Sequence, residues 1–194
     1  YRIDPDGAAP TRLTWEGSIN SDADWSPDGA RIVFRSNRSG AAELWMLHLA
    51  SGEFLRLTND PDNDAGSYGG EGPARFSPDG TKIAWGCSDA NGDTQLCVMR
   101  VDGSGRRQLD RGELLGRAVY PSWHPSGNRL VFGQTVENGF ALYDIDLAGG
   151  EPRRVANQPV GTNLAPLRAR RAACVSPART PPSRLPPTGS SCPR

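Results

Sequence analysis

The chain has 194 residues, with 22 basic and 22 acidic side chains and a formal net charge of zero. Gly at 23 and Pro at 17 exceed their usual combined share of about an eighth, which argues against a helical bundle and for turn-rich β architecture. No run approaches the roughly 18 apolar residues that a membrane helix needs, and two His and four Cys leave little room for a His-rich metal site.

The first clear unit begins at Trp25-Ser26-Pro27-Asp28-Gly29. Pro fixes φ for the second position of a tight turn, Asp bonds nearby backbone, and Gly accepts the positive φ that follows, so the segment predicts a turn between two strands. An apolar run, Ile32-Val33-Phe34, comes next, then the loop Ser36 to Gly40, a second run Leu44-Trp45-Met46-Leu47, a turn at Ala50-Ser51-Gly52 and a close at Phe54-Leu55-Arg56-Leu57-Thr58. That is four short strands in residues 23–58.

An acidic loop follows, with Asp60, Asp62, Asp64 and Glu71 at the first, third, fifth and twelfth positions of an EF-hand-like spacing. Ala65 stands where that loop requires Gly, and the flanking segments read as strands, so the EF-hand itself is rejected. Two readings stay open: a solvated loop with Asx turns between two sheets, or a Ca²⁺ site built on the four carboxylates.

The pattern returns in residues 74–109. Phe76-Ser77-Pro78-Asp79-Gly80 lies 51 residues after its first copy and is followed by Ile83-Ala84-Trp85, Leu96-Cys97-Val98-Met99 and Arg106-Arg107-Gln108-Leu109. If a three-residue loop, Asn91 to Asp93, pairs Ala90 with Thr94, then Cys87 falls opposite Cys97 on adjacent strands, within disulfide reach. Trp45 and Tyr143 occupy the position of Cys97 in the other units, so a small packed apolar residue is the competing reading.

A third copy, Trp123-His124-Pro125-Ser126-Gly127, lies 47 residues further and opens a unit over 121–156 with Leu130-Val131-Phe132, Leu142-Tyr143-Asp144-Ile145 and Arg153-Arg154-Val155. Four antiparallel strands per repeat of this length predict propeller blades, each covered by neighbours on both faces. His48 aligns with Arg100 and Asp146, and His124 with Ser26 and Ser77, so both histidines read as structural. No nucleophile elbow, zinc-binding helix signature, P-loop, dinucleotide-binding fingerprint or Cys-x-x-Cys occurs, which points away from an enzyme.

Residues 167–194 are different. They hold six Arg and no acid from Arg168 onward, while residues 1–167 carry 16 basic and 22 acidic side chains, a net of −6. The Arg/Pro/Ser-rich tail has almost nothing to bury and reads as disordered, or as the product of a shifted reading frame. Lacking interleaved aromatics, it does not read as a nucleic-acid arm, and the acidic body offers no basic patch.

The repeats resemble the WD40-like units of TolB-type β-propellers, in which an aromatic precedes Ser-Pro-Asp-Gly and an Arg-Arg-Leu-Thr-like stretch closes each blade. The motif residues are Trp25, Pro27, Asp28 and Gly29, then Phe76, Pro78, Asp79 and Gly80, then Trp123, Pro125 and Gly127; the third copy departs at His124 and Ser126. By this resemblance residues 1–14 match the last two strands of a preceding blade, giving about three and a half blades over residues 1–166, of the six with which the family closes. The expected fold is an all-β propeller, and the expected role is a non-catalytic protein-binding scaffold in the periplasm or otherwise outside the cytoplasm. The resemblance implies an envelope lipoprotein among its protein partners and no cofactor. The alternative is the gating propeller of a prolyl-oligopeptidase-type peptidase whose catalytic domain lies outside this chain.

Overall fold

The computed structural model describes residues 1–7, 9–15, 18–59, 73–88, 93–114, 116–137 and 139–155. Within them lie twelve strands in three four-stranded sheets. The first sheet comprises β1 (Asn20–Trp25), β2 (Arg31–Ser39), β3 (Ala41–His48) and β4 (Phe54–Arg56). The second holds β5 (Arg75–Phe76), β6 (Lys82–Ser88), β7 (Thr94–Arg100) and β8 (Arg107–Gln108), and the third β9 (Ala118–Trp123), β10 (Arg129–Val136), β11 (Gly139–Asp146) and β12 (Arg153–Arg154). Every sheet is an antiparallel meander in chain order. This is the all-β blade architecture that the repeat predicts.

The recurring turn has one geometry. Gly29 N–H donates to the Ser26 carbonyl, Gly80 N–H to that of Ser77 and Gly127 N–H to that of His124, each at 2.9 Å, and the three glycines share φ of 71°, 70° and 74°. In the first turn the Ser26 hydroxyl donates to Asp28 Oδ1 and accepts the Arg31 N–H at 2.9 Å; Ser77, Asp79 and Lys82 repeat this. The third turn reaches the same shape with other groups: His124 Nδ1 takes the place of the serine oxygen and accepts the Ser126 N–H at 3.2 Å, while the Ser126 hydroxyl bonds Asn128.

Both faces of the middle blade are buried against neighbours. Val33, Leu44, Met46 and Leu57 of the first blade pack on Phe76, Ile83, Trp85, Cys87, Cys97 and Met99 of the second. The second blade's opposite face, Ala84, Leu96, Val98 and Leu109, packs on Trp123, Leu130, Phe132 and Ile145 of the third. Alternation along each strand thus sends successive apolar side chains to different cores, which is why the strands read as near-continuous apolar runs. On the outer face of the first blade, Ile32, Phe34 and Leu47 form a smaller cluster joined by Leu13. Residues 1–7 and 9–15 carry a single isolated bridge, Arg2 to Thr11.

One register differs from expectation. The ladder between β6 and β7 places Ser88 opposite Thr94, so Cys87 faces Gln95 and Cys97 faces Trp85, two residues away from the predicted Cys87–Cys97 pairing. The two cysteines are diagonal neighbours on one face of the sheet, and the strand twist keeps their Cα atoms 5.8 Å apart, inside the range a disulfide spans.

Candidate interaction surface

The first strand of each blade occupies one edge of its sheet, and these edges lie side by side. Asp24 Oδ2 on β1 accepts the Phe76 N–H of β5 at 2.9 Å, and the Trp123 indole N–H donates to the Arg75 carbonyl at 2.9 Å. The inner strands are therefore tied blade to blade by side chains rather than by a shared ladder.

Two of these inner strands carry bulges. The register of β1 on β2 shifts between Ser21 and Asp24, and that of β9 on β10 shifts between Val131 and Gly133. At each bulge a non-glycine residue takes left-handed backbone, Asp22 at φ 57° and Tyr120 at φ 54°, the two such residues among those described. Each stands three positions before the aromatic of its turn; the corresponding residue of the second blade is Pro73, whose ring excludes positive φ. Such conformations cost about 1–3 kcal/mol each and re-aim the side chain. Asp22 is exposed and Tyr120 half-buried, so the bulges present a carboxylate and a phenol on the inner strands of the first and third blades.

Behind this surface lie buried polar braces that the sequence pattern did not reveal. Arg111, in the crossing from the second to the third blade, donates to Gln95 of β7, to Gln134 of β10 at 2.5 Å and to the Gly116 carbonyl at 3.2 Å. It is 6% exposed. In the first blade Glu43 is fully buried, accepts the Arg56 guanidinium at 2.9 Å and bonds the Thr58 hydroxyl, which in turn accepts the Leu44 N–H at 2.9 Å. The available signal was a Gln or Glu placed early in β3 and β7 among apolar neighbours.

Hydrogen bonding holds the turn aspartates ionised. The Ser77 hydroxyl, helped by the Thr81 backbone and the Lys82 charge against partial desolvation, lowers Asp79 from 3.8 to about 2. Asp28 is lowered in the same direction, first by Ser26 and then by the Ala30 N–H. Asp102, in the turn between β7 and β8, is lowered by Ser104.

The predicted site residues do not converge. Asp60, Asp62, Asp64 and Glu71 lie outside the described residues, and among the described residues no group of three or more His, Cys, Asp or Glu could hold a metal ion. His48 ends β3 in the first blade, and His124 is exposed in the turn of the third. Cys87 and Cys97 are joined as a disulfide within the core between the first and second blades.

No protein-family model matches the chain. A Tol-Pal system protein TolB of Anaeromyxobacter dehalogenans is 37% identical over 120 residues, which is 62% of this chain and 25% of that protein. The crystal structure of TolB from Acinetobacter baumannii superposes with a TM-score of 0.63 at 20% identity, covering 78% of this chain and 36% of the other. The described blades are TolB-like. The chain spans about a quarter of the length of the curated TolB relative, so the TolB-like likeness concerns the blades and not the whole of that protein. A puromycin hydrolase structure, at a TM-score of 0.57 and 16% identity, shares the fold with these TolB-like blades and nothing more specific.

Proposed function

We propose that this chain is a protein-binding propeller scaffold of the TolB kind, working outside the cytoplasm, whose partner is a protein of a Tol-Pal system docking on the inner strands. The observation that carries this reading is the 37% identity with a Tol-Pal system protein across the blades themselves. Two features support it. The strained Asp22 and Tyr120 sit on the inner strands of two blades, and strained backbone persists where surrounding structure holds a side chain for use. The Cys87–Cys97 disulfide suits an oxidising compartment.

Calorimetric titration of the purified Pal component of a Tol-Pal system tests the reading. Saturable heat is expected, with Asp22→Ala and Tyr120→Ala each weakening affinity by roughly tenfold, about 1.4 kcal/mol, while the β circular dichroism signal is retained. Absence of binding by the folded chain overturns it. The peptidase-gating alternative has weaker support, because the likeness to a puromycin hydrolase extends to the fold alone.

A further inference from the structure

The residue before the aromatic of each turn is Asp24, Arg75 or Ser122, one repeat position filled by three chemistries. Asp24 commits its carboxylate to the first junction, accepting the Phe76 N–H of the next blade at 2.9 Å. Arg75 cannot repeat this, because a guanidinium has donors and no acceptor. The second junction is tied through the main chain instead, where the Trp123 indole N–H donates to the Arg75 carbonyl at 2.9 Å. That leaves the Arg75 side chain out of the blade-to-blade tie. Its Nη1 donates to the carbonyl of its own neighbour, Ala74, at 2.7 Å, and no other acceptor and no acid meets it among the described residues.

Its placement sharpens the contrast. Arg75 lies opposite Ala84 in the β5–β6 ladder, so it stands on the face of the second blade that turns to the third, where Ala84 itself packs. It is half-buried. It is also the one basic residue on the three inner strands: β1 carries Asp22 and Asp24, and β9 carries no charge. At other places on the blades a partly buried guanidinium reaches a carboxylate, Arg31 to Asp28 at 3.4 Å, Arg56 to Glu43 at 2.9 Å and Arg129 to Asp144. The planar fork of an arginine fits a carboxylate through two parallel N–H···O bonds, and Arg75 has the fork without the carboxylate.

We propose that Arg75 is the specificity-determining residue of the inner-strand docking surface and that it takes an acidic side chain, Asp or Glu, of the docking protein. This role rests on inner-strand docking by a Tol-Pal protein and names the group that the partner presents. The partner's carboxylate seats on the guanidinium of the second blade, between the strained Asp22 and Tyr120 of the blades on either side. Docking withdraws the pair from water, which makes it stronger than an exposed surface ion pair. Asp22, whose Oδ2 accepts the Ser21 hydroxyl at 2.9 Å, keeps the first blade's inner strand acidic, so a partner displaced by one blade brings acid against acid. The two charges together fix the register at which the partner docks.

Calorimetric titration of purified Pal into the wild-type, Arg75→Gln, Arg75→Lys and Arg75→Glu chains tests this. Arg75→Gln is expected to weaken binding by roughly tenfold and Arg75→Glu by roughly a hundredfold, with Arg75→Lys between wild type and Arg75→Gln because it keeps the charge and loses the fork. The urea midpoint of Arg75→Gln stays at the wild-type value, since the side chain ties no other blade. Neutralising the acids of Pal one at a time, Asp→Asn or Glu→Gln, identifies the partner group: one variant loses the same factor against the wild-type chain and nothing further against Arg75→Gln. Wild-type affinity in Arg75→Gln, or no acid of Pal coupled to it, overturns the assignment and leaves docking in place. A loss of affinity accompanied by a lowered urea midpoint makes Arg75 a structural residue and overturns it as well. Absence of Pal binding by the folded wild-type chain overturns docking and this assignment together.

Discussion

Asp24 on the first blade accepts the backbone N–H of Phe76 on the second, 52 residues away in sequence, at 2.9 Å. Both residues are buried, so the bond works where water cannot replace it. Asp24→Ala is expected to destabilise the chain by about 1–3 kcal/mol, measured by urea denaturation, because the Phe76 N–H is left buried without its acceptor. Asp24→Asn retains an oxygen acceptor and recovers part of the loss. Equal loss in both variants means that the carboxylate charge, not the acceptor, carries the effect.

Arg111 is the corresponding brace at the second junction. Arg111→Met keeps the length of the side chain and removes its donors, leaving the Gln95 and Gln134 oxygens without this partner in a buried setting. A loss of about 2–4 kcal/mol is expected in chemical denaturation. A change within experimental error shows that the junction holds by apolar packing alone.

Acid should loosen the turns within a defined window. Asp79 is lowered from 3.8 to about 2 in the folded chain, so the stability it contributes is complete above the unfolded value and is lost as the pH falls through about 2. Asp28 acts in the same direction. Carboxyl NMR titration should find Asp79 well below the ordinary range, and Ser77→Ala should move its midpoint upward, since the Ser77 hydroxyl is the largest cause of the shift. A midpoint unmoved by that substitution removes the hydroxyl from the account.

For the cysteines, peptide mapping without reductant should recover Cys87 and Cys97 in one cross-linked peptide pair. The ten-residue separation predicts that the double substitution Cys87→Ala with Cys97→Ala lowers stability by about 2–3 kcal/mol, read in denaturant without reductant. Free thiols at both positions in the folded, oxidised protein contradict the pairing.

Much of the fold was legible because it resides in local chemistry. Ser26-Pro27-Asp28-Gly29 and its two relatives announce their own turns, and the apolar runs between them leave little choice but strands covered on both faces. The pairing of Cys87 was harder to read, since the β6–β7 register places Ser88 opposite Thr94 where the loop composition suggests Ala90. Arg111 was not legible at all: a lone arginine after a strand looks solvated until the next blade brings Gln134 to it. The bulges at Asp22 and Tyr120 were hidden for a similar reason, because neither residue type signals left-handed backbone as glycine does.

The third turn keeps the φ of its glycine at 74° and its 2.9 Å backbone bond although His124, Ser126 and Asn128 have replaced the groups used by the other two. The shape of this turn is therefore set by its backbone and its glycine, and it accepts neutral side chains where the other two copies use a charged one. Chimaeric chains that transplant the Trp123–Gly127 turn into either earlier blade should fold, and they would carry one fewer acid-sensitive carboxylate into any lineage that inherits them.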